Sequence, residues 1–318
     1  MTKKVDRARN WSKYNEALVQ RGSITFWFDE DAIKNWHVND SINTRGRPRK
    51  YSDVAITCGL TLKAVFKLTF RAVEGFIRSL MNGFKISAEV PDYSLLCKRQ
   101  KKLAVKLPTK NLRTNEGIHI LVDTTGLKIF GEGEWKVRQH GIVKKRLWRK
   151  LHLAINAENQ EIEAFKLTNL GFQDCEGFPH LINEIDKKID KVTGDGAYDR
   201  YDGYKLSQRK GFKLIAPPRR DAKTTRECTS KKTIRKQAGE IGVALEDRNK
   251  YIERIREIGR KEWKKEVSYH KRSLAETAMF RMKTLLGNRL KNRKMETQIV
   301  ETAIRCAVLN KMTNLGLG

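Results

Sequence analysis

The chain has 318 residues, and 66 Lys and Arg against 37 Asp and Glu leave a formal net charge of +29, with a pI near 10.0. Such an excess repels itself in a free globule and calls for a polyanionic partner, of which nucleic acid is the default. A hydrophobic content of 39% suffices for a core in one or two domains, and no run approaches the ~18 apolar residues of a membrane span.

The opening MTKKVDRARNWSKY lacks the apolar run of a signal peptide. Cys58, Cys97, Cys175, Cys228 and Cys306 are scattered without C-x-x-C spacing, which argues against a zinc site or a disulfide framework. The expectation is a cytoplasmic protein that faces nucleic acid, with no membrane contact.

Residues 1–112 read as a helical, basic region, with Trp11, Tyr14, Phe26, Trp27, Phe28 and Trp36 near its start. A turn-rich link at 43–53 carries RGRP, where Arg45 and Arg47 flank a glycine. An extended Arg-Gly-Arg fits a narrow minor groove, although a basic linker has the same composition. VAITCGLTLKAVF and LTFRAVEGFIRSLMNGF are two helical patterns, either a helix-turn-helix or a plain helical hairpin. After Pro91-Asp92, SLLCKRQKKLAVKL reads as a third basic helix.

From about 113 the period changes. HILVDTTGLKIF (119–130) reads as a strand bent by Thr124, Thr125 and Gly126 after its aspartate. Residues 135–150 hold seven Lys or Arg and no acid, including Lys144, Lys145, Arg146, Arg149 and Lys150, a candidate DNA-binding run. Residues 151–168 read as two strands across a polar turn. A helix at 177–189, a strand at 191–199, a short helix closed by Gly211 and a strand at 212–218 complete a mixed α/β sheet. Residues 219–262 read as a charged, mostly helical insertion. A helix at 269–287 follows, and an amphipathic segment at 295–312 is expected to pack back on the sheet.

Three carboxylates stand out. Asp123 in LVDTTG and Asp195 in TGDGAYD fall at expected strand ends, where ligands gather in α/β sheets. Each also fits an ordinary Asp-Gly turn. Glu276 lies on the helix YHKRSLAETAMFRMKTLLG, where Tyr269, Arg272, Glu276 and Lys283 share an arc of about 60° opposite the apolar face, at 100° per residue. A solvated face with an i,i+4 pair gives the same pattern. Three carboxylates at one sheet edge repel one another unless a divalent cation sits among them, and oxygen-only ligation suits magnesium. GEGEW (131–135) does not open a helix, so it is no dinucleotide site.

On these residues the chain resembles the DDE transposases, which have a ribonuclease H-like fold. Asp123, Asp195 and Glu276 follow that family's order, and Tyr269, Arg272, Glu276 and Lys283 complete its Y-x2-R-x3-E-x6-K signature. DTTGLKIFGEGEW, RQHGIVKKRLWRKLHL, GDGAYD and PPR look like the insertion sequence 5 family, near the insertion sequence 903 subgroup; GRPRKYSD and GFIRSL extend the likeness upstream. SLLCKRQ departs from the usual Thr-Leu-Ser-Arg-Arg phrase but keeps its charge through Lys98 and Arg99.

The resemblance implies a helical DNA-binding domain at 1–112 and a ribonuclease H-like catalytic domain at 113–318 with its insertion at about 219–262. It implies Asp123, Asp195 and Glu276 as catalytic ligands of two Mg²⁺ ions, with Mn²⁺ as a substitute, and Tyr269, Arg272 and Lys283 as DNA contacts. The partners implied are double-stranded DNA, as terminal inverted repeats and target, and a second copy of the chain in a homodimeric DNA complex on the bacterial nucleoid. Two other functions fit the same residues: a metal nuclease of the same fold that lacks strand transfer, and a DNA-binding repressor with an idle site.

Overall fold

The computed structural model describes residues 10–38, 48–110, 117–129, 148–225, 227 and 244–316. Arg45, Arg47, Lys144, Lys145 and Arg146 lie outside the described residues. Contacts divide the chain into two compact units. One comprises residues up to 108 with 285–287 and 292–318, the other 109–284 with 288–291.

The first unit is helical, and its starts are written in the sequence. Asn10, Asp29, Ser52, Thr69 and Asp92 each accept a backbone N–H as N-caps, the role in which short polar side chains replace missing intrahelical partners. They open α1 (Trp11–Gln20), α3 (Glu30–Lys34), α4 (Asp53–Val65), α5 (Phe70–Gly83) and α6 (Tyr93–Arg99), with α2 (Ile24–Trp27) between the first two. Of the three helical patterns expected downstream of the RGRP link, two form as α4 and α5, and the third forms only in its first part, as α6 and a 3₁₀ turn at Gln100–Lys102.

Their core gathers Trp27, Trp36, Ile56, Leu62, Ile77 and Leu96. Trp36 is fully enclosed, and its indole N–H donates to the Glu89 carbonyl at 2.8 Å, which satisfies the one polar atom such a ring would otherwise strand.

The last helix, Met295–Leu315, belongs here too. It was expected on the sheet, but Val300, Ile304, Val308 and Met312 enter the core of the helical unit. Thr302, Asn310 and Thr313 are also buried, so the helix is covered on more than one side, which an amphipathic pattern alone does not foretell.

The second unit is built on a mixed sheet. Strands β1 (Ile118–Ile129), β2 (Trp148–Asn156), β3 (Ile162–Asn169), β4 (Ile189–Thr193) and β5 (Lys213–Ile215) stand in the order β3-β2-β1-β4-β5, and β6 (Arg289–Leu290) pairs with the far end of β1. The pairs β1–β2 and β2–β3 are antiparallel, whereas β1–β4, β4–β5 and β1–β6 are parallel. Helix α7 (Asp174–Asn183) starts with a capping box between Gln173 and Glu176, and α8 (Tyr201–Lys210) ends on Gly211 at φ 74°.

Two details differ from the sequence expectation. Strand β1 is not bent after Asp123: it stays paired with β2 through Lys128, so Asp123 lies mid-strand opposite Leu153. Antiparallel pairing supplies the backbone partners that a turn at Thr124–Gly126 would have left open. The segment at 269–287 is also not one helix. Ser268, at φ 56°, is followed by a 3₁₀ turn at Tyr269–Arg272, and the α-helix runs from Ser273 to Leu286. Among the described residues, no helix is long and apolar enough to cross a membrane.

Two buried histidines carry the core's only strongly lowered imidazole basicities among the described residues. His119 is pushed down to about 3 and His152 to about 4, in both by burial first; neighbouring lysines add to this, while Asp174 opposes it at His152. Each ring bonds a threonine hydroxyl at 2.9 Å, His119 with Thr193 and His152 with Thr168. A folded-state pKa below the unfolded value of ~6.5 means that protonation favours unfolding. The stability that neutral His152 supports is therefore present above pH ~6.5 and is lost as pH falls toward 4.

Two outcomes are expected. The stability gap between wild type and His152→Gln, from urea midpoints, narrows between pH 7.5 and pH 4.5; a constant gap contradicts the buried neutral imidazole. Trp36→Ala lowers stability by ~3–5 kcal/mol in the same assay, the usual cost of emptying a buried aromatic site.

Candidate active site

The register of β1 and β4 sets the site. Leu121 pairs with Thr193 in a parallel ladder. Two residues further on, each chain carries an aspartate, Asp123 on the continuing β1 and Asp195 just past the end of β4. Side chains two residues on share a face, so the ladder itself brings the two carboxylates to neighbouring positions.

Gly194 enforces the close approach. A Cβ there would stand 2.6 Å from the Tyr198 ring and 2.9 Å from a Val122 methyl. Asp195 then caps the short 3₁₀ turn Gly196–Tyr198, its Oδ1 accepting the Ala197 N–H at 2.9 Å. The turn reading and the site reading of Asp195 are thus compatible.

The 3₁₀ turn Tyr269–Arg272 and the helix Ser273–Leu286 each meet β1 at one point. Arg272 Nη1 donates to Asp123 Oδ2 at 3.0 Å and its Nη2 to Glu276, while the Lys283 ammonium donates to the Thr125 hydroxyl. One guanidinium therefore bridges two of the three acids. The Tyr269 ring centroid lies 6.0 Å from the Arg272 guanidinium carbon and 4.9 Å from the Lys264 ammonium.

The electrostatics tie the group together. Burial raises the Asp123 pKa; Asp195 and Glu276 push it the same way, against the Thr124 N–H and Arg272. Tyr269 is raised by burial, with Arg272 opposing and Asp195 and Asp123 adding. For Arg272, burial acts to lower the pKa but is outweighed by Tyr269, Asp123 and Glu276, so the net shift is upward. Asp123, Asp195, Glu276, Arg272 and Tyr269 thus share one local field.

Metal-ligand chemistry fits the donors in kind. They are carboxylates, hard oxygen ligands of the type magnesium takes, and burial with two acidic neighbours leaves Asp123 short of positive charge. The arrangement itself is held by arginine: among the described residues, no group of three or more His, Cys, Asp or Glu side chains is placed to hold a metal ion. Glu276 remains mostly exposed, at 56% of its side chain.

The two described members of the basic run lie on β2. Arg149 donates to the Asn169 side chain at 2.8 Å, and Lys150 both reaches the Phe172 carbonyl at 2.9 Å and pairs with Asp174 at 2.9 Å. Lys150 therefore brings an acid with it, which blunts its pull on a phosphate.

Asp199, the last residue of GDGAYD, was given no role in the sequence. It is nearly enclosed, and it accepts from the Tyr204 hydroxyl at 3.0 Å and from Arg248 Nε at 2.8 Å. Arg248 belongs to α9 (Glu246–Glu266), so this pair fastens the insertion helix to the turn that follows Asp195. The tyrosine five residues on is a weak local signal; the arginine partner is visible only in three dimensions.

Two family models described as Transposase DDE domain match the chain, one over residues 19–132 and the other over residues 114–311. Among solved structures, the piggyBac transposase synaptic complex with hairpin DNA is similar over 93% of this chain and 73% of that one, at 11% identity and a TM-score of 0.36, a likeness too slight to argue from. The second family match takes in β1, the end of β4 and the helix after Arg272, with all three carboxylates. With more than half of its length inside that match, this chain belongs to the DDE transposase family.

Proposed function

We propose that this DNA transposase serves a bacterial insertion sequence of the insertion sequence 5 type. In this reading it binds the terminal inverted repeats, hydrolyses a phosphodiester bond at each end of the element, and joins the freed 3′-hydroxyls to target DNA. The observation that carries it is the Arg272 bridge, which gathers Asp123 and Glu276 from distant parts of the chain beside the position that strand register gives to Asp195. The strand order, with one long central strand antiparallel to β2 and parallel to β4, supports a ribonuclease H-like core.

Asp123, Asp195 and Glu276 are the residues that would hold two Mg²⁺ ions. Such a pair supplies activation of an attacking oxygen and stabilisation of a leaving one. The chain's own side chains do the rest. Arg272 sets one positive charge against two carboxylates and so lets the acids approach before DNA arrives. Lys283, anchored on Thr125, holds a compact positive charge beside them for a phosphate oxygen. Tyr269 offers a phenol whose basicity is kept high, a hydrogen-bond donor rather than a base. No side chain need act as covalent nucleophile, unlike the serine and tyrosine recombinases. The helical N-terminal unit is the natural reader of the repeats, and pairing two ends calls for two protomers.

The test uses a duplex ending in the repeats that flank the gene, with Mg²⁺ and a target plasmid. Glu276→Gln is expected to lose cleavage by more than the ~10–100-fold that loss of an outer-shell partner costs, while binding the duplex as wild type does. Cleavage by Glu276→Gln at the wild-type rate would falsify the metal assignment. Lys283→Ala is expected to weaken end binding and processing together; a loss confined to one of the two would remove it from the phosphate role.

A further inference from the structure

An open cavity of about 550 Å³ lies beside the carboxylates, between the turn at Gly196–Ala197 and Tyr269. Its charged lining among the described residues is Arg219, Arg220, Arg260 and Lys264, without one acid. It lies wholly within the second unit, and of the four-residue transposase signature only Tyr269 lines it.

The insertion helix shows why this lining is unusual. Five of the other six bases on α9 meet acids: Arg248 pairs with Asp199, Lys250 with Glu246, Arg254 with Glu257 and Glu266, Arg256 with Glu227, and Lys265 with Glu262, leaving the exposed Lys261 without an ion pair among the described residues. Arg260 and Lys264 have no acidic partner among the described residues. Their contacts hold them in place and leave their charge intact. Arg260 Nη2 donates to the Pro218 carbonyl at 2.6 Å, and the Lys264 ammonium lies 4.9 Å from the Tyr269 ring centroid. A carbonyl and a ring face orient a cation without neutralising it.

The backbone makes this face on purpose. Gly259 interrupts α9 at φ 81°, ψ 152°, a conformation essentially reserved for glycine. The break comes immediately before Arg260, and one turn later, at i+4, Lys264 falls on the same side. On the opposite wall, Pro217 and Pro218 stiffen the chain that delivers Arg219 and Arg220. Four like charges lining one open cavity repel one another, a cost that water screens and a bound anion relieves further.

We propose that this cavity is a phosphate-gripping subsite for one DNA strand running past Asp195. The proposal rests on the transposase reading above and adds to it the path of the strand. Two links connect the cavity to the carboxylates: Gly196 and Ala197 directly follow Asp195, and Tyr269 lies between Lys264 and Arg272. The cations address phosphates, not base edges, so the grip is indifferent to sequence.

The experiment measures binding without divalent metal, so that it stands apart from cleavage. A fluorescein-labelled single-stranded thymidylate decamer is titrated with the full chain by anisotropy between 50 and 200 mM salt. The Arg220→Ala/Lys264→Ala double variant is expected to bind at least ~10-fold more weakly at the lower salt, and its salt slope falls by ~1.4, about 0.7 for each cation lost on a single strand. Lys261→Ala, exposed on the same helix outside the cavity, leaves both nearly unchanged.

Wild-type affinity and slope in the double variant, with its circular dichroism and melting unaltered, overturn the subsite. So does an equal loss in Lys261→Ala, which assigns the effect to net charge. An abasic decamer is expected to compete as well as the thymidylate one; failure to compete refutes a backbone grip. A chain that cuts no DNA can still pass this test, and a chain that cuts normally can still fail it.

Discussion

Asp123 and Glu276 share one guanidinium, and the site's form depends on that sharing. Carboxylates at close quarters raise one another's proton affinity, and burial of Asp123 adds to the cost of its charge. Arg272 offsets both by bonding two acids at once, with the planar fork that suits arginine to this task. It also docks the start of the helix Ser273–Leu286 onto β1, while Lys283 docks its later turns through Thr125. A single element thereby gains its place in the fold and its place in the site by the same contacts.

The strand ladder supplies the other half of this constraint. With Leu121 opposite Thr193 at the end of the parallel ladder, Asp123 and Asp195 each stand two residues further on, near enough for Asp195 to act on the Asp123 carboxyl. The slip of a single residue would turn one of them to the other face of the sheet. Gly194 allows Tyr198 and Val122 to close on the backbone next to Asp195, so packing and chemistry meet within two residues. Asp199 then ties this turn to Arg248, and the insertion helix is brought to the same edge.

The insertion helix has a divided character that follows from its charge pairing. Half of its bases pair with glutamates, and surface pairs of that kind add little stability. Arg260 and Lys264 differ because a carbonyl and a ring hold them. Such charges contribute little to folding and stay available to a ligand.

Much of this was legible in the residues alone. The N-cap side chains, the change of period near residue 113 and the glycine at the end of α8 follow from local chemistry, which acts over a few residues and is written in order along the chain, whereas the three acids with Arg272 and Lys283 stood out through the resemblance to a family. The helical wheel drawn through Tyr269 was not sound, because Ser268 turns left-handed and a 3₁₀ turn replaces the first helical turn. The bend expected after Asp123 was absent for a different reason: β2 supplied backbone partners from a segment the motif does not contain. The last helix joined the helical unit, since burial on several sides comes from neighbours and not from periodicity.

Sequence by itself determined the order of the three acids, Arg272 and Lys283 along the chain. Only the tertiary structure decided that one arginine spans two acids, that Asp199 fastens the insertion, and that four bases share a cavity. Those facts depend on distances between residues far apart in the chain, which composition and spacing do not encode.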